Sequence, residues 1–93
     1  MLVGCAAKDM EAVCNAEERA GTARIGDPAE RAHRTAGWIE GHVRSSAVKK
    51  DLARLAVVTN RAAKAESLRL MAKEYGYDGP CPMADVIDRS VGN

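Results

Sequence analysis

The chain has 93 residues and is 46% hydrophobic, yet it has no Phe, and its only aromatic residues are Trp38, Tyr75 and Tyr77, so alanine carries much of the apolar content. Such a composition favours closely packed helices over strands, which need branched or aromatic faces, and it predicts an all-α fold: one compact bundle of four or five helices with a thin core. A formal net charge of +1 excludes a strong overall field toward nucleic acid or anionic membrane, and no run approaches the roughly 18 apolar residues of a membrane span.

The first helix is expected from near Asp9, as its N-cap, to Arg19 or Ala20, with Gly21 ending it and Met10, Val13 and Cys14 on one side. Asp27-Pro28-Ala29-Glu30 is a strong start signal for a second helix: an acceptor at the N-cap, proline where no donor is needed, and glutamate at the third position. Ala29, Ala32, Ala36, Ile39 and Val43 follow at steps of three and four and make one apolar stripe, while Glu30 with Arg34 and Glu40 with Arg44 fall at i,i+4. Ser45 or Ser46 caps a third helix burying Val48, Leu52 and Leu55. The β-branched run Val57-Val58-Thr59 suits a break, with Asn60 capping a fourth, the alternative being a single bent helix. That fourth helix carries Ala65, Leu68, Met71, Ala72 and Tyr75 inward and stops at Gly76 in a Schellman-type end. After the turn Tyr77-Asp78-Gly79-Pro80, Pro82 opens a short fifth helix with Met83, Val86 and Ile87 facing inward, ending near Val91.

The three cysteines divide unevenly along this plan. Cys14 lies on the inward side of the first helix and Cys81 at the entrance to the last. They are either ordinary buried thiols or a bridge tying the terminal helices together; the small size of the domain favours the bridge. Cys5 is then left over. Leu2-Val3-Gly4-Cys5 resembles the lipobox of bacterial lipoproteins, in which a small residue precedes a cysteine that becomes lipidated and N-terminal. The resemblance implies lipidation of Cys5, an upstream truncation, and residues 1–7 as a signal remnant or tether beside a single helical domain over 8–93. Ala6 is not the aspartate that usually retains such proteins at the inner membrane. A wider resemblance, to small uncharacterised helical proteins or lipoproteins of bacteria, rests on Cys14 to Gly21, Asp27-Pro28 with Arg31-Ala32, Trp38-Ile39, and Cys81-Pro82-Met83-Ala84-Asp85. It supports the paired cysteines, implies a periplasmic or lipid-anchored place in the cell envelope, and transfers no activity.

No catalytic constellation stands out: the serines lack a nucleophile-elbow setting, and no carboxylate pair has a pocket context. His33 and His42 are too far apart on one helix to share a metal, and Met10, Met71 and Met83 read as core filling, so neither metal nor cofactor is implied. Two surfaces remain for a partner. Arg34, Trp38 and His42 follow at i, i+4 and i+8 on one face of the second helix and are the candidate anchor for a protein partner, although the position of Trp38 beside the apolar stripe favours a core edge. Between Arg44 and Lys73 lie eight basic residues and only Asp51 and Glu66 as acids. Lys50, Arg54, Arg61 and Lys64 could there face nucleic acid or another anionic surface, the alternative in which the protein is a cytoplasmic module. The function these readings favour is a non-catalytic envelope accessory or protein-interaction module.

Overall fold

A computed structural model of the chain describes residues 3–89, with side chains from Cys5 onward. The expected all-α bundle is present, with six α-helices and no strand among the described residues. The sixth arises because the first predicted helix is two: α1 (Val3–Cys14) and α2 (Ala16–Ala20). Asn15 separates them; its φ and ψ of −112° and 24° leave the helical region, and its side-chain amide donates to the Glu11 carbonyl at 2.9 Å. Gly21, at φ +75°, closes α2, and a 3-10 turn (Thr22–Arg24) follows. Asp9 corrects the predicted start. It lies inside α1, is buried, and accepts hydrogen bonds from the backbone N–H groups of Arg44 and Ser45 at 3.0 and 2.7 Å. Val3 to Ala7, expected as a tether, forms the first turns of α1, and Ala6 packs against the core.

The next two starts are capped as the sequence predicts. In α3 (Pro28–His42) the Asp27 carboxylate accepts from the Glu30 N–H at 3.0 Å. In α4 (Ser46–Ala56) the Ser45 hydroxyl accepts from the Val48 N–H at 3.3 Å. Because α3 ends at His42, Arg44 leaves the helical face, and Glu40 forms no ion pair with it; Glu30 and Arg34 do pair, at 3.3 Å. Asn60 caps α5 (Arg61–Glu74), accepting from the Ala63 N–H at 2.9 Å. At its far end Tyr77 N–H donates to Ala72 O at 2.9 Å and Gly76 N–H to Lys73 O at 3.0 Å, with Gly76 at φ +94°. That is the Schellman pattern, and the left-handed φ is why glycine stands there. The last helix is α6 (Pro82–Arg89); the predicted end near Val91 lies outside the described residues.

The core joins Met10, Val13 and Cys14 of α1, Val48 and Leu55 of α4, Ala65, Leu68, Met71 and Ala72 of α5, and Ala84 of α6, with Val43 after α3. Helices α5 and α6 share the most extensive contact of any helix pair, and Ala65, Leu68 and Ala72 of α5 and Ala84 of α6 are all buried. Arg69 joins the same two helices by a 2.8 Å ion pair to Asp85. Cys14 and Cys81 are bonded, so the start of α6 is tied to the end of α1 across 67 positions of sequence.

Helix α3 is held differently. It rests on α1, α2 and the 3-10 turn, and the residue buried at that contact is Thr35. Thr35 donates to the Arg31 carbonyl at 2.7 Å, which uses its only proton, so the 2.7 Å contact between the Thr22 and Thr35 hydroxyls has Thr22 as donor. Arg31 adds a 3.7 Å ion pair to Glu17 and a 3.3 Å hydrogen bond to the Ala23 carbonyl. The buried row is therefore one residue, about 100° of helix rotation, away from the predicted apolar stripe. Ala29, Ala32 and Ala36, expected inward, are exposed; Ile39 is half-buried, and only Val43 is buried.

Candidate functional site

The rotation of α3 leaves an open groove of about 1190 Å³ between α3 and the helices α4 to α6. One wall is the displaced stripe, Ala32, Ala36 and Ile39; the other is Leu52, Ala53 and Ala56 of α4, Val58, and Val86 and Ile87 of α6. Most of these side chains are alanine or β-branched, so the walls are hydrocarbon with little relief. Met83, Val86 and Ile87, expected to face inward, are half-buried and end in this groove.

Charge around the rim is distributed by wall. On the side of α2 and α3 stand Glu17, Arg31 and Glu40, of which Glu17 and Arg31 neutralise one another. On the side of α4 to α6 stand Lys49, Arg61, Lys64 and, at the end of α6, Arg89, and none of these forms an ion pair within 4.0 Å among the described residues. The groove is thus apolar at its floor, basic along one edge and carries a single unpaired acid, Glu40, along the other.

The predicted partner face lies on the side of α3 turned away from the groove. Arg34 has 63% of its side-chain surface exposed, Trp38 is half-buried and His42 is exposed. The Trp38 and His42 rings stack with centroids 4.0 Å apart and planes 16° from parallel, and the Arg19 guanidinium lies 6.0 Å from the indole centroid. His42 Nδ1 is 2.8 Å from the Trp38 carbonyl, an acceptor only, so Nδ1 carries the proton and fixes the imidazole against the indole. The stacked rings form an amphipathic plate on the helix surface.

The basic row predicted on the third and fourth helices is divided. Arg61 and Lys64 stand on the groove rim, whereas Lys50 lies outside it and Arg54 is 3.6 Å from Asp51 in an ion pair. Among the described residues no group of three His, Cys, Asp or Glu side chains comes together in a way that could hold a metal. His33 is exposed, Met10 and Met71 are in the core, and Cys5 is an exposed free thiol on α1.

One titratable group is displaced from its ordinary behaviour. The Tyr75 hydroxyl donates to the Asp51 carboxylate at 2.6 Å. That hydrogen bond, then burial, then the negative charges of Asp51 and Glu74 raise its pKa above the usual value near 10.0. It ties α5 to α4 and lies away from the groove.

Sequence reasoning missed the groove because it took the α3 stripe for core. The available signal was Thr35, a polar residue that can be buried on a helix only when its hydroxyl is satisfied, as it is here by Arg31 and Thr22. Compared with known proteins, the chain matches no family model, no curated protein and no solved structure.

Proposed function

We propose that this protein is a non-catalytic interaction module that works through α3. One observation carries the reading: α3 is held along a single edge, so Ala32 and Ala36 of its apolar stripe stay exposed, with Ile39 half-buried, along a groove of about 1190 Å³. Contiguous apolar side chains that line an open groove are a candidate contact surface in a small domain. The Arg34, Trp38 and His42 plate supplies a second contact on the opposite side of the same helix, of the aromatic and arginine composition common at interface anchors.

The reading places the module in the cell envelope. The Cys14–Cys81 bridge suits an oxidising compartment, and the lipobox resemblance at Leu2 to Cys5 adds a lipid tether through Cys5, which is accessible on α1. A nucleic-acid role for Lys50, Arg54, Arg61 and Lys64 draws less support, since Arg54 is engaged with Asp51 and the row is divided.

The test is site-specific photocrosslinking in cells that carry the native protein. A crosslinker at position 36 or 38 is expected to trap one defined protein partner, whereas one at Lys50 traps none. Trp38→Ala should weaken the trapping from position 36 while thermal unfolding stays cooperative. Trapping of nucleic acid, or of nothing, from positions 36 and 38 alike would overturn the reading. Intact mass without reductant reports the bridge and any lipid on Cys5 in the same preparation.

A further inference from the structure

We infer that the groove beside α3 receives the apolar face of an acidic amphipathic helix from a partner protein. The inference rests on the interaction-module reading and adds the chemistry of the partner. Its shape argument begins with the small walls. Ala32 and Ala36 on one side and Ala53 and Ala56 on the other permit the close approach at which helices pack, about 8–10 Å between axes. The α3 wall is one helix of 15 residues, about 22 Å long at 1.5 Å per residue, so an occupant of about four turns fits along it. Such a helix would present apolar residues at i, i+3, i+4 and i+7, the pattern by which helices enter grooves.

Charge selects the kind of helix. Lys49, Arg61 and Lys64 line one edge without an ionic partner among the described residues. Carboxylates along the flank of the bound helix would meet them, while Glu40 on the other edge repels a helix acidic on both flanks. The complement is therefore one-sided: acidic toward α4 and α5, neutral or basic toward α3, and that asymmetry sets which way round the helix lies. A flat bilayer does not enter a concave apolar trough, and a nucleic-acid backbone would leave its floor without apolar cover. Within the described domain the large apolar side chains exposed outside the groove are the isolated Val57 and Leu70, so a second folded copy offers no free helix with an apolar face to insert.

The probe is a displayed library of helical peptides about four turns long, with inward positions varied among Leu, Val, Ala and Ser and both flanks among Glu, Gln and Lys, selected on the oxidised protein. Enriched sequences should carry Leu or Val inward and Glu on one flank. Changing those Glu residues to Lys should weaken binding about tenfold or more. The combined variant Lys49→Glu, Arg61→Glu, Lys64→Glu should reverse the preference, and Ala36→Arg, which fills the groove from an exposed position, should abolish binding with the thermal transition retained. Enrichment without charge preference, or with Lys on that flank, overturns the acidic assignment and leaves docking in the groove standing. No enrichment, or binding indifferent to Ala36→Arg, overturns both. A dimer of the peptide-free protein that Ala36→Arg dissociates, or retention on phosphatidylglycerol vesicles that Ala36→Arg removes, overturns the partner helix in favour of a second copy or a lipid surface.

Discussion

At the scale of single residues, polar side chains here act mainly as joints between helices. Tyr75 is the one with a readable titration. Its proton is held by the hydrogen bond to Asp51, by burial and by neighbouring carboxylates, so its pKa in the folded protein lies above that in the unfolded chain. The folded state then keeps a proton that the unfolded chain gives up first. The associated stability is complete below the ordinary tyrosine value near 10.0 and is lost as pH rises from there through the raised folded value. The melting temperature should fall with pH above that point, and Tyr75→Phe should fall less steeply over the same interval. The comparison is between the two slopes in thermal scans. Parallel slopes would mean that the Asp51 contact does not hold the proton. Trp38 shows a different limit of single-residue reasoning: its spacing with Arg34 and His42 was legible, but the imidazole stacking was not, because it depends on a ring tautomer fixed by a backbone carbonyl.

At the scale of elements, local chemistry was read well and orientation poorly. The caps at Asp27, Ser45 and Asn60 and the Gly76 end are short-range geometry, written in the residues that make them. The side that a helix buries depends on the rest of the molecule. For α3, whose exposed stripe is made mostly of alanine, the gain from burying that stripe is small, so the Thr22, Thr35, Arg31 and Glu17 contacts determine which side is covered. The groove, and with it the candidate site, followed from that rotation. Asp9 makes the same point. Its position suits an N-cap by sequence, but it caps from a distance, holding the corner between α3 and α4 from inside α1. Asp9→Ala would leave the Arg44 and Ser45 N–H groups without that acceptor and should destabilise the fold by about 2–4 kcal/mol, measured by urea unfolding. A loss below about 0.5 kcal/mol, the usual range for a surface change, would mean that water replaces the carboxylate.

At the scale of the whole molecule, the bridge and the groove are linked through α6. Val86 and Ile87 furnish part of the groove wall, and the start of their helix is fastened to α1 by Cys81. Replacing both cysteines by serine should lower stability by about 4 kcal/mol on the chain-entropy relation for a loop of this length, a large part of what a domain of this size possesses. The measurement is denaturant unfolding of the two proteins side by side; a loss under about 1 kcal/mol would show that the packing of α5 on α6 holds the last helix by itself. The bridge also turns everything from Cys14 to Cys81 into a covalent ring. Cutting a ring once opens it without dividing it. A protease that clips the exposed segment around Val57 or the loop near Gly26 would add one water to the mass and release no fragment. The severed ends would stay at high effective concentration, so the protein can be nicked and remain a single particle until a reductant parts its two halves.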